Sequence, residues 1–362
     1  MITFYVRNVY EALEESLRES ETYGVENSSR NGPVIEFPTP VTTCYSDPCE
    51  RVLFIPERDA NPFFHLLESI WMLVGRNDVG FLTHYVSTMI NYSDDGKTFN
   101  GAYGYRWRKH FGVDQISALI ERLKEDHNSR RAVIAMYDPT CDSNYNGKDT
   151  PCNTTIYFWI REGKLNMTVC NRSNDAILGA YGANAVHMSI LQEYVAASVG
   201  VGVGTYYQMS NNLHFYTEMN PLYKRLIDSN FSLTEPDPYV TGQVSPYPLV
   251  TPGKADNWLD EAVRFLQDVE LLNEGKIAVS EIISRCLAKG YTNLFFPEVL
   301  LPICIAYYKQ KIRDYTGALE SIELCRATDW KKACSEWIQR REISYRRRIA
   351  NEQKEDKGLN NE

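Results

Sequence analysis

The stretch "TPCNTTIYFWIREGKLNMTVCNRSND", residues 150–175, decides how this chain is read. Residues 154–161 and 164–170 alternate in strand fashion around "EGK", the pattern of a β-hairpin. A hairpin returns its end to its start, so Cys152 and Arg172 are expected side by side. A cysteine attacks only as thiolate, and a neighbouring guanidinium favours that form. On these residues alone Cys152 is a packed thiol, a metal ligand or a nucleophile, and spacing does not choose among them.

Outward from the hairpin, apolar spacing gives a coarse map. The first twenty residues, with Val6, Val9, Leu13 and Leu17, read as an amphipathic helix, and "GVENSSRNG" (24–32) as an exposed loop carrying Arg30. "VIEFPTPVTTCY" (34–45) is strand-like. "NPFFHLLESIWMLVGRNDVGFLTHYV" (61–86) reads as one buried helix, in which the carboxylate of Glu68 needs a partner or a job. Further helices are expected at "ISALIERLKE" (116–125) and "NAVHMSILQEYVAASVG" (184–200), with strands at "AVIAMYDP" (132–139) and "GTYYQMSNNLHFY" (204–216). The Pro-rich segment 235–257 marks a boundary. It divides residues 1–235 from a connector at 236–256 and a helical extension at 257–362, whose charged tail "RREISYRRRIANEQKEDKGLNNE" is expected to be frayed or disordered.

The 362 residues suffice for a large core, and their composition is that of a soluble globular protein. A formal charge of −9 argues against a chain that wraps nucleic acid, so an anionic ligand must be met by a few placed arginines. No apolar run approaches the roughly 18 residues that span a bilayer, and the first residues lack signal-peptide character, so a cytoplasmic protein is expected. The nine cysteines are odd in number and never form C-x-x-C, which points to buried reduced thiols rather than disulfides or a zinc site. No metal is expected.

Arg30, Arg130, Arg131 and Arg172 are candidates for a phosphate, which guanidiniums grip bidentately; singly, each also reads as solvated surface charge. At this point several blocks converge. "TPCN", "NRSND" followed by "LG", "NSRR" upstream, "LHFY" downstream, "LESIWML" and "AYGYRWR" resemble the thymidylate synthase superfamily in order and spacing over roughly residues 24–220.

The resemblance implies an α/β (α+β) fold, a thymidylate synthase-like curved mixed sheet with packed helices, here with a helical C-terminal extension. It implies that Cys152 adds to C6 of a pyrimidine nucleoside monophosphate and that 5,10-methylenetetrahydrofolate donates the carbon. Arg30, Arg172 and Ser173 would hold the phosphate, joined by Arg130 and Arg131 from the second subunit of a homodimer. Glu68 would organise water and protons around the base, and Tyr103 would stand near the nucleophile. Asp175 would contact folate, while His214 and Tyr216 would reach the sugar. Without the other blocks, His214 reads as an interior histidine.

Departures from the synthases carry information. Asn153 replaces the histidine of Pro-Cys-His, as in the hydroxymethylase branch. In "STMINYSDDG" (87–96), Asn91 and Asp94 stand where a Trp-rich segment lines the folate. A dry aromatic wall favours hydride transfer and a methyl product, so a polar wall is expected to favour water and a hydroxymethyl product. Base choice turns on one position. Counting back from His214 puts Asn184 there and leans towards uracil, with cytosine still possible; counting forward from Gly179 puts Ala183 there. Thymidylate synthesis is the alternative reaction. A non-catalytic nucleotide-binding module, or a basic "RREISYRRR" segment docking an acidic partner, is the alternative of another class.

Overall fold

The computed structural model describes residues 1–218, 221–229 and 236–359, with side chains through Gln353. Two sheets form its frame. The larger has six strands: β1 (Ile2–Val6), β4 (Val41–Tyr45), β9 (Gly202–Ser210), β7 (Lys164–Asn171), β6 (Asn153–Arg161) and β5 (Val133–Ala135), adjacent in that order. It is mixed, with β1 parallel to β4, β9 parallel to β7, and the other neighbours antiparallel. The smaller orders β2 (Val25–Ser29), β3 (Gly32–Glu36), β10 (Leu213–Tyr216) and β8 (Asn174–Asp175). The expected hairpin is present as β6 and β7. Glu162 and Gly163 turn it with φ of 50° and 70°, the left-handed pair that a two-residue hairpin loop requires.

Helices bury the inner face of the large sheet. Leu165, Met167 and Val169 point inward from β7 and are fully buried, under α5 (Asn184–Val199), which also covers β9. Across α5 lies α2 (Pro62–Leu73), whose start is set by Pro62 and by Asn61, its Oδ1 accepting the Phe64 N–H at 3.2 Å. Around this pair stand α1 (Val9–Tyr23), α3 (Val79–Tyr85) and α4 (Gln115–Glu125), with α6 (Leu222–Ser229) against α1.

Several expectations from the sequence are corrected. Residues 2–6 are a strand, not the start of a helix, because Asn8 caps α1 by accepting from the Tyr10 and Glu11 amides. The stretch 24–32 is largely the β2–β3 hairpin rather than a loop, and 34–45 is two strands in different sheets. Residues 61–86 break into α2 and α3 at Gly75, whose φ of 73° ends the first helix before Asp78 caps the second. The run 204–216 divides at Asn211 and Asn212, where the chain leaves one sheet for the other.

Beyond the Pro-rich segment come α7 (Ala255–Asn273), α8 (Val279–Lys289), α9 (Leu301–Lys311), α10 (Tyr315–Glu323) and α11 (Thr328–Leu359). The tail expected to fray is thus helical through Leu359. These helices share a continuous apolar core with the rest of the chain. Phe63 of α2 meets Tyr307 of α9 and Trp337 of α11 with ring centroids at 5.2 and 5.4 Å. The connector is itself seated: Asn8 donates to Asp237 at 2.6 Å, and the Tyr239 hydroxyl donates to Asp329 at 2.9 Å. Arg340 and Arg341 pair with Asp59, fastening α11 near the start of α2.

Candidate active site

Pairing of β6 with β7 brings the ends of the hairpin together as expected. The Arg172 amide donates to the Cys152 carbonyl at 2.9 Å, and its guanidinium donates to the carbonyls of Pro151 and Thr150, each at 3.0 Å. That places Nη2 4.0 Å from Cys152 Sγ. Burial pushes the Cys152 thiol up, Arg172 pulls it down, and Asp149 and Asp175 oppose ionisation. Arg172 is therefore the group that favours the thiolate. Ser173, the next residue, is half-buried beside it.

Asn153 begins β6 fully buried. The Tyr103 phenol approaches its amide, and neither amide atom reaches full hydrogen-bond geometry. Burial, then the charges of Cys152 and Asp149, push the Tyr103 phenol well up, so it remains a donor. Glu68 on α2 lies against His187 of α5, Nε2 to Oε2 at 3.0 Å, close enough for an ion pair but without hydrogen-bond geometry. Sequence reasoning missed His187, although it stands one helical turn after Asn184 and so shares its face. His65, also buried, is driven well below the usual imidazole range by burial and by the charges of Arg58 and His187.

The smaller sheet carries the second cluster. Parallel pairing of β8 with β10 sets Asp175 opposite His214. Burial pushes the Asp175 carboxyl up and the His214 imidazole down, each countered by the other's charge. His214 and Tyr216 lie on one face with rings 5.0 Å apart, and Asn31 donates to the Tyr216 hydroxyl at 3.3 Å. That bond brings the β2–β3 turn, and with it exposed Arg30, beside Tyr216. Asp175 Oδ1 also caps residues 176–183 by accepting from the Ile177 amide at 2.9 Å.

Those eight residues are helical but kinked, with Tyr181 and Gly182 outside helical geometry. Asn184 begins α5. Its Nδ2 donates to Asn174 Oδ1 at 3.0 Å, and Asn174 in turn donates to Ser210. Ala183 is the residue before the helix. Arg58, likewise missed, donates to the Ile177 carbonyl at 3.1 Å; burial lowers it to about 10, with Asp175 pulling the other way.

Other candidates stand apart. Arg130 and Arg131 are exposed just before edge strand β5. Asn91 is exposed on a short helical turn. Asp94 instead reaches the loop leading to Cys152, accepting from the Tyr145 hydroxyl and from the Lys148 amide. At the surface, His110, Asp138 and Cys141 each bring one ligand-type atom within 4.8 Å of the others.

Half-buried Cys152 thus lies beside Arg172, Glu68 meets His187, and Asp175, His214 and Tyr216 form a second cluster on the smaller sheet. A family model described as thymidylate synthase matches residues 60–237. Deoxyuridylate hydroxymethyltransferase of Pseudomonas phage M6 is 46% identical over 353 residues, which cover 95% of each chain. The enzyme of the same name from Bacillus phage SP01 is 41% identical over 190 residues, 49% of this chain and 50% of that one. Thymidylate synthase from T4 phage superposes with a TM-score of 0.47 at 22% identity, covering 57% of this chain and 76% of that one. The chain belongs to the thymidylate synthase family, and it is a one-carbon transferase.

Proposed function

We propose that the protein hydroxymethylates C5 of deoxyuridine monophosphate through a covalent Cys152–C6 adduct. The carrying observation is end-to-end similarity to an enzyme named for that reaction, 46% over 95% of each chain. The site's chemistry supports it: Cys152 lies under a guanidinium, and Asn153 and Asp94 supply polar groups where a dry wall would be needed for hydride transfer. Arg172, with Ser173 and the Arg30 turn, holds the phosphate. His214 and Tyr216 receive the sugar, and Asn184 reads the uracil amide edge. Glu68, steadied by His187, moves protons and water around the base.

Methylenetetrahydrofolate supplies, when bound, a carbon at the methylene oxidation level. The donor set fits it: among the described residues the caps use Oδ1 of Asp175, and Oδ2 would meet the folate ring. The site is completed in a homodimer. Exposed Val133, Tyr157 and the stacked Trp159–Tyr207 pair make an aromatic outer face on the large sheet for a second copy. Arg130 and Arg131, exposed beside β5, extend from that face into the partner's phosphate site. Among the described residues no helix is long and apolar enough to cross a membrane, and a nucleotide substrate fits the cytoplasmic setting expected from the sequence.

Replacing Cys152 tests the covalent step. Cys152→Ser is expected to lower turnover at least a thousandfold while deoxyuridine monophosphate still binds within about tenfold, measured by calorimetry, because the arginines hold the phosphate independently. Turnover near wild type would exclude the adduct.

A further inference from the structure

Two segments outside the proposed reaction meet at the surface in a cluster of mixed chemistry. His110 Nε2, Asp138 Oδ2 and Cys141 Sγ all lie within 4.8 Å of one another. His110 closes the helical turn 106–110, which follows Tyr103, while Asp138 and Cys141 lie on the loop between β5 and β6 that leads to Cys152.

A buried ion pair fixes the two segments together. Arg106 grips both oxygens of Asp142, at 2.6 and 2.8 Å, with both side chains fully buried, and Asp142 Oδ2 also accepts the Asp138 amide at 2.8 Å. Thr140 then occupies Asp138 Oδ1, donating its amide at 3.0 Å and its hydroxyl at 2.6 Å, while Oδ2 faces His110 Nε2 at 2.8 Å. Cys141 Sγ stands 3.9 Å from the same imidazole nitrogen.

That one nitrogen meets both partners decides what the cluster can do. A nucleophilic relay needs the carboxylate on one imidazole nitrogen and the thiol on the other. Here the three atoms converge on a single point instead, as ligands do around an ion. Thiolate, imidazole and carboxylate together suit a borderline-soft divalent ion. Around tetrahedral zinc the nitrogen–oxygen and nitrogen–sulfur separations would be about 3.3 and about 3.6 Å. The first pair therefore opens by roughly half an ångström, and exposed Cys141 turns inward to complete the set.

We propose that His110, Asp138 and Cys141 bind a divalent ion of the zinc class, with water in the fourth position. The ion joins the turn that follows Tyr103 to the loop that leads to Cys152. Cobalt(II), which enters zinc sites and reports its ligands optically, is the probe. Titrated into the full chain, it should bind once per chain in the micromolar range, with the visible bands of four-coordinate cobalt and a thiolate-to-cobalt charge-transfer band that zinc removes. Cys141→Ser is expected to abolish the charge-transfer band and His110→Asn to weaken binding at least tenfold, while Cys152→Ser leaves the spectrum unchanged. A wild-type chain without these bands, or a Cys141→Ser chain that keeps the charge-transfer band, would overturn the site. A second measurement needs no variant: zinc should slow alkylation of Cys141 by iodoacetamide at least tenfold, read by peptide mass spectrometry. An unchanged rate would equally overturn it.

Discussion

At the residue scale the site runs on opposed influences. Burial pushes the Cys152 thiol up, and Arg172 draws it back towards thiolate. In the proposed reaction, base choice falls to Asn184. Asn184 is pinned to Asn174, and a carboxylate there would present an acceptor where the amide offers both donor and acceptor. Asn184→Asp is expected to shift kcat/KM by tenfold or more towards deoxycytidine monophosphate; unchanged preference in a competition assay would place base reading elsewhere. The Cys152–Arg172 contact was legible in sequence because a hairpin is local. The Glu68–His187 pair was not, since its members sit on different helices and only packing of α2 against α5 joins them.

At the scale of elements, close backbone contact positions Tyr103. The helical turn that carries it abuts the end of α2 so closely that a Cβ on Gly104 would lie 1.8 Å from the Met72 carbonyl oxygen. Gly104→Ala must therefore push two backbones apart, and a loss of at least about 2 kcal/mol is expected in denaturant unfolding. A midpoint within error of wild type would show that the turn yields freely. Apolar spacing located most helices and strands but misjudged their ends. Caps at Asn8 and Asp78 and the left-handed Gly75 set those ends, and they are single-residue signals within strongly periodic runs. That β9 and β10 belong to different sheets is invisible to alternation, because both strands alternate in the same way.

At the scale of the whole molecule, the helices after residue 255 are packed into the catalytic body through Phe63, Tyr307 and Trp337 and through the connector. The connector's joint holds a charge at a cost. Asp329 of α11 is buried under Tyr239, and burial pushes its carboxyl up to about 6. A carboxyl raised above its ordinary value of about 3.9 contributes stability that is complete below that value and lost as pH rises through the folded-state pKa. Asp329→Asn is neutral at every pH and should stabilise the protein by up to about 3 kcal/mol at pH 8, and by much less at pH 4.5. Equal thermal shifts at both pH values would contradict this. Little of this packing could be read from the sequence: proline and charge marked the connector and tail, but contacts between distant segments decide how they are used. The central claim, that water rather than hydride completes the reaction, is tested most directly by mass spectrometry of the product from deoxyuridine monophosphate and methylenetetrahydrofolate. The expected product is the 5-hydroxymethyl nucleotide with tetrahydrofolate released; a 5-methyl nucleotide with dihydrofolate would contradict water attack.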